Sequence, residues 1–275
     1  MKKLLIKTFS AVLLTAAVSA CSSSSSDTEK SEIMTFSCLT GSKSYYLDDT
    51  AQEFNRDADL VYRDSAVIVM PESLYSLDIT NLREAIMKMA FDTVCSTPRQ
   101  AMDAFFEDAV DRLGYSFTEV PDSLASEEAD GFTTVTGDVY NFTSRRLTYR
   151  IADYTYLPGA AHGMHTCLFL TFDMENGDII TLDELFTAEG LERLPEIIAT
   201  RARKLQSLIG PTEIEALPSD GNFFISLDDE IVFVYQPYEV ASYAQGLIMV
   251  PFHPYQLADL LTPRALSFFN LDREP

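Results

Sequence analysis

The chain has 275 residues, 47% of them hydrophobic and 23% charged, a balance that supports a buried core and excludes an intrinsically disordered chain. Acidic residues outnumber basic ones 42 to 20, giving a formal charge of −22, which argues against any partner that presents phosphates and therefore against nucleic acid. A cationic partner is favoured instead, and the length accommodates one large domain or two ordinary ones.

Residues 1–20 carry a positive start (Met1-Lys2-Lys3), an apolar stretch from Leu4 to Val18 and small residues before Cys21, the layout of a secretory signal peptide. Ala17-Val18-Ser19-Ala20-Cys21 resembles the lipobox of bacterial lipoproteins, which implies cleavage before Cys21 and acylation of that cysteine. Loss of Lys2, Lys3 and Lys7 would take the formal charge to −25. Several acyl chains hold a protein on a membrane far better than one, and no later stretch approaches the ~18–20 apolar residues of a spanning helix. The lipid on Cys21 is thus the expected membrane anchor. The expected address is the bacterial cell envelope, at the outer membrane on its periplasmic or surface face. Five serines follow Cys21, so residues 21–30 are expected to form a polar tether, with the folded body starting near Ser31.

Runs rich in Tyr, Phe, Val and Ile predict strands over 34–47 and 60–70, separated by an acidic loop. Ile79, Leu82, Ile86, Met89 and Ala90 then recur at helical spacing, predicting an amphipathic helix over 80–94 capped by Asp78 or Thr80. Ser96-Thr97-Pro98 opens a second helix with apolar face Met102, Phe105, Phe106, Ala109 and Leu113, closed by Gly114. Residues 115–131 read as a solvated acidic connection. Alternating patterns predict strands over 132–142 and 145–156, and Glu175-Asn176-Gly177 predicts a hairpin between 166–174 and 178–181. A helix is expected from about Leu191 to Ile209, stopped by Gly210-Pro211. A strand pair is expected around Asp228-Asp229-Glu230, then a strand over 247–252 and a short helix over 254–261. The whole predicts an α+β fold of antiparallel sheets with helices packed on one side, in two tightly associated halves.

No nucleophile elbow, phosphate loop, dinucleotide fingerprint or His-Glu-x-x-His motif occurs, so no enzyme activity and no cofactor are expected. The one constellation suggesting catalysis is His162-Gly163-Met164-His165. With His253 these are all the histidines, and hydrolytic zinc needs three protein ligands with one open position. A zinc-dependent hydrolase using His162 and His165 is the less favoured alternative, because the flanking residues read as a turn entering a strand, which sends the two side chains to opposite faces. The preferred reading is turn histidines bonded to the backbone. Beyond Cys21 the chain has Cys38, Cys95 and Cys167, which allow at most one disulfide and are read first as small buried hydrophobes.

Three stretches together resemble a known bacterial extracytoplasmic domain. They are Leu157-Pro158-Gly159-Ala160-Ala161-His162-Gly163, then Phe172-Asp173 through Gly177 to Ile180-Thr181-Leu182-Asp183-Glu184-Leu185-Phe186, then Gln236-Pro237-Tyr238-Glu239-Val240-Ala241-Ser242-Tyr243-Ala244-Gln245-Gly246. The domain so resembled is the one of unknown function shared by the lysozyme-sensing anti-sigma factor RsiV and the peptidoglycan deacetylase PdaC. The resemblance implies a C-terminal domain over 157–265 preceded by a companion α+β domain over 31–156. Neither relative's catalytic or cytoplasmic part is recognised in the sequence, so neither relative's full activity is expected. The resemblance therefore implies an envelope binding module whose partner is a cationic protein such as lysozyme or, alternatively, a peptidoglycan or polysaccharide glycan, and the chain is expected to be a monomer. The motif residues His162, Tyr238, Glu239 and Tyr243 are the candidate binding residues. Glu239 is the one that needs explaining, since a carboxylate beside an apolar strand must bond either the turn at His162 or a ligand.

Overall fold

The computed structural model describes residues 34–121 and 128–272, all within one unit, Glu32–Pro275. The expected signal peptide and tether, Cys21 and part of the acidic connection lie outside the described residues. The chain opens with a long antiparallel pair, β1 (Met34–Leu47) and β2 (Leu60–Leu74), joined through a short helix α1 (Thr50–Glu53). Three helices follow, α2 (Thr80–Phe91), α3 (Pro98–Glu107) and α4 (Ala109–Leu113). Next come β3 (Phe117–Glu119), β4 (Gly131–Phe142), β5 (Arg146–Tyr156), β6 (Met164–Asp173) and β7 (Ile179–Ile180). These strands form one sheet in the order β3-β1-β2-β4-β5-β6-β7.

Every pairing in that sheet is antiparallel except β2 with β4, which run parallel. Parallel neighbours need a long crossover, and α2–α4 occupy it. The helices cover one sheet face, packing Leu82, Ile86, Met102 and Phe106 against Ile68, Met70, Val135, Tyr149 and Phe172.

The remainder is α5 (Leu182–Leu185), α6 (Ala188–Lys204), α7 (Gln206–Ile209), β8 (Phe223–Ile225), β9 (Ile231–Tyr235), β10 (Ile248–Phe252) and α8 (Pro263–Phe268). The last three strands form a second antiparallel sheet, β10-β9-β8. Leu194, Ile198 and Ala202 of α6 pack on Ile225, Phe233 and Val250 to make a second core. The opposite face of this small sheet meets β6 through Cys167, Phe169, Phe224, Val232 and Val234. The fold is thus α+β, with antiparallel-dominated sheets and helices on one side. The large sheet continues across residues 156–157, because β5 pairs with β6, and the two helix-covered cores change over between Met174 and Ile180.

Local chemistry accounts for most element ends. The Thr97 side chain accepts from Gln100 N–H with Pro98 in the first helical position. Gly177 closes the hairpin at φ 83°. Several boundaries differ from expectation. The first long helix stops at Phe91 rather than 94, because Asp92 adopts a left-handed backbone. The second breaks at Asp108 into α3 and α4. The helix expected from Leu191 starts three residues earlier, at Ala188, where the Thr187 side chain caps Gly190 N–H, and it breaks at Leu205. Within the presumed loop, β3 adds to the edge of β1. Residues 254–257 form one 3₁₀ turn, and α8 follows where no helix was predicted.

The three cysteines among the described residues, Cys38, Cys95 and Cys167, are free. Only Cys167 matches the small-hydrophobe reading, and burial pushes its thiol up to about 11. Cys38 is exposed because its position on β1 faces solvent, and Cys95 is half-buried.

Candidate functional site

Three of the four candidate residues meet on the surface. The His162 ring stacks on Tyr243 with centroids 4.1 Å apart and an interplanar angle of 19°. Tyr238 stacks on Tyr243 at 5.5 Å, and its hydroxyl lies 3.2 Å from His162 Nε2. Beneath them the Gly163 carbonyl is a shared acceptor: it takes the Tyr243 hydroxyl at 2.6 Å and lies 3.0 Å from His162 Nδ1. A carbonyl can only accept, so the hydrogen-bond network assigns the proton to Nδ1, which leaves Nε2 to accept from Tyr238. The reading of His162 as a turn histidine bonded to the backbone matches this geometry.

The two histidines do not diverge as strand alternation predicts. His162 precedes β6 and lies in the turn, so the alternation does not govern it, and His165 also reaches Tyr243, edge-on at 5.8 Å. Tyr154, on the neighbouring strand β5, extends the cluster. Its ring lies so close over Gly163 that a Cβ there would come within 2.4 Å of it. Gly163 is therefore required for close approach rather than for a left-handed backbone, whereas Gly159 does adopt φ 77°. Tyr154 was not among the sequence candidates, and His165 was considered only as a zinc ligand beside His162. Their signal was present in the register, since Tyr154 pairs with His165 across β5 and β6.

The turn that presents Tyr238 is fixed from several sides. Gln236 N–H donates to Glu239 Oε2 at 2.7 Å, while Ser219 N–H and its hydroxyl donate to Glu239 Oε1 at 2.7 and 2.9 Å. Glu239 thus bonds neither the turn at His162 nor solvent-facing space: it ties the 236–239 turn to residue 219. Gln245 donates to the carbonyls of Ile209 and Pro211, which fastens the Tyr243 segment to the end of α7. Held this way, Tyr238 takes φ 70°, a left-handed backbone that is a true outlier for a bulky residue, and its side chain stays 57% exposed. Strain of this kind persists only where the surroundings over-determine it. The result is a shelf of stacked rings with Met164 and Leu157 exposed nearby in sequence on the same turn and strand.

Among the described residues no group of three His, Cys, Asp or Glu side chains is placed to hold a metal ion. His253 is engaged with Tyr255, 5.5 Å between ring centroids, and with Glu230 at 3.5 Å. No helix among the described residues is long and apolar enough to cross a membrane.

Comparison with known proteins finds one family match, to the family described as "Protein of unknown function (DUF3298)", over residues 183–256. That span holds Tyr238, Glu239 and Tyr243, while His162 precedes it. No curated protein matches the chain. Among solved structures, a DUF3298 family member from Bacteroides fragilis is similar with a TM-score of 0.60 and 17% identity, covering 86% of this chain and 96% of that one. A DUF3298 family protein from Pseudomonas aeruginosa is similar with a TM-score of 0.55 and 13% identity, covering 85% and 96%. At these identities the likeness extends to the fold: the α+β architecture described above is that of the DUF3298 structures.

Proposed function

We propose that the chain is a lipid-anchored binding module of the cell envelope that captures a cationic protein, of the lysozyme kind, on the His162–Tyr238–Tyr243 shelf. The observation that carries the reading is Tyr238: a bulky side chain held in left-handed backbone, exposed, and stacked beside two further rings. Tyrosine offers large contact area at small entropy cost, and buried aromatic anchors supply most of the energy of protein interfaces. The acidity of the chain complements such a partner mainly through encounter rate and choice. The resemblance to the RsiV and PdaC domain supports the same partner class, and the lipobox at Cys21 supports the address.

Titration of the purified protein with lysozyme at low and high salt tests this. Long-range attraction fades once the screening length falls below ~8 Å, whereas a packed interface persists. Binding that weakens with salt but survives it, and that disappears in Tyr238→Gly, is expected. No binding at either salt, or binding abolished by moderate salt, would remove the reading. Stacked ring faces also suit a sugar, so retention on insoluble peptidoglycan in place of lysozyme binding would move the function to glycan recognition. For the anchor, Cys21→Ala is expected to move the protein from the membrane to the soluble fraction.

A further inference from the structure

A cavity of about 250 Å³ lies on the helix-covered face of the large sheet, between the end of α2, the α3–α4 segment and strands β4–β6. Its walls are mixed, the apolar part including Phe91, Ile151 and Leu168. Four charged residues also line it. Arg112 is neutralised by Asp64, which is wholly buried behind it and accepts from Nη2 at 2.5 Å. The same guanidinium lies 3.9 Å over the Phe105 ring. Asp92 is paired with Lys88 at 2.6 Å. Two carboxylates remain: Asp108 is exposed, Asp153 is half-buried, and neither forms an ion pair among the described residues. Among the described residues, Asp153 accepts from the Thr155 hydroxyl at 3.2 Å. Burial pushes the Asp153 carboxyl above the usual range, against the Thr155 hydrogen bond and the charge of Arg112. Beside the cavity, Asp64 Oδ1 and Arg112 Nε are buried with no hydrogen-bond partner among the described residues, and the Tyr45 hydroxyl donates to the Phe106 carbonyl.

We propose that this cavity binds an organic cation, a primary ammonium or guanidinium group on an aliphatic stem, with Asp153 as the counter-ion. Apolar walls with a small number of placed polar groups are the usual make-up of a small-molecule site. The stem would lie against Phe91, Ile151 and Leu168, and the charged head would meet Asp153, which shares the Arg112 charge with Asp64 and forms no ion pair of its own among the described residues, with Asp108 adding negative potential. An anion is disfavoured, because the one cation in the wall is already held by Asp64. This site is separate from the ring shelf and does not depend on the function proposed for it.

Isothermal titration of the purified protein with cadaverine and with n-butylammonium, and with glutarate as the charge-reversed control, tests the assignment. Saturable binding of both ammonium probes and none of glutarate is expected. Asp153→Asn keeps the size and the Thr155 contact but removes the charge, and is expected to weaken cadaverine at least tenfold. Leu168→Trp fills the cavity without altering its charge and is expected to do the same, which decides the matter if the first variant does not fold. Tyr238→Gly is expected to leave cadaverine binding unchanged, separating this site from the shelf. Absence of saturable binding by either ammonium, equal binding of glutarate, or undiminished cadaverine affinity in folded Leu168→Trp would overturn the proposal.

Discussion

Tyr238 sets two energies against each other. A left-handed backbone costs an L-residue roughly 1–2 kcal/mol, while its exposed ring returns only a hydrogen bond to His162 and partial stacking on Tyr243. Removing a buried aromatic would cost about 3–5 kcal/mol, so the two roles are separable by magnitude. Tyr238→Gly relieves the strain and adds about 1 kcal/mol of unfolded-chain entropy, which nearly cancel. Stability measured by urea unfolding is therefore expected to stay within ~1 kcal/mol of the parent while partner binding is lost. A loss above ~2 kcal/mol would make the ring a structural element instead. Glu239 shows the opposite balance. Its two oxygens accept three hydrogen bonds within the fold, so nothing in its surroundings calls for a ligand.

Between elements, the least readable feature is how the small sheet attaches to the large one. The outer edge of β6 is paired with β7 only at Thr171 and Phe172, which leaves the backbone at 167–169 in need of partners. Two side-chain amides supply them. Asn222 Oδ1 accepts from Phe169 N–H at 3.0 Å, and its Nδ2 donates to the carbonyls of Cys167 and Val234 at 2.9 and 3.3 Å. Gln236 Oε1 accepts from Cys167 N–H, and its Nε2 donates to the Cys167 carbonyl. The amides act as a substitute strand, and Gln236 is also the first residue of the turn that carries Tyr238. Asn222→Ala would strand the buried Phe169 N–H and Val234 carbonyl at about 1–3 kcal/mol each. A destabilisation of roughly 3 kcal/mol in denaturant unfolding is expected, and one below 1 kcal/mol would show that the sheets hold together by apolar contact alone. Periodicity and turn chemistry made β1, β2, β4, β5, the β6–β7 hairpin and the helix face of α2 legible, because each signal is local. The β3 edge pairing, the parallel β2–β4 contact and the amide clamp were not, because they join residues far apart in sequence. The same holds at the shelf. His162, Tyr238 and Tyr243 were singled out by their motifs, but their stacking depends on a turn at 157–163 meeting one at 236–246.

Over the whole molecule, charge is the dominant long-range property, and Asp64 shows how the fold responds to it. Desolvation raises this wholly buried carboxyl from 3.8 to about 6, against the pull of Arg112. Tyr45, Tyr62 and Asp153 are the other titratable groups acting on it; burial pushes Tyr62 up to about 12 and Tyr45 higher, so both stay neutral at physiological pH. The folded chain therefore binds a proton at a pH where the unfolded chain does not. Stability must rise as pH falls from about 6 toward 4, by about 1.4 kcal/mol per unit of raised pKa and hence by a few kcal/mol from Asp64. Asp153, also raised, contributes in the same direction, and partial neutralisation of a chain with 42 acidic residues relieves self-repulsion as well. Below about pH 4 the gain from Asp64 is complete and the trend reverses, because Asp78, whose carboxyl the Thr80 hydrogen bonds hold below the usual range, then loses its stabilising charge. Thermal unfolding across pH is thus expected to show a maximum near pH 5 rather than at neutrality. Asp64→Asn should flatten the rise between pH 7 and 5 whatever it does to absolute stability, since the titrating group is gone. A parent protein whose stability falls steadily from pH 7 to 5, or a variant with an unchanged slope, would place the titration elsewhere.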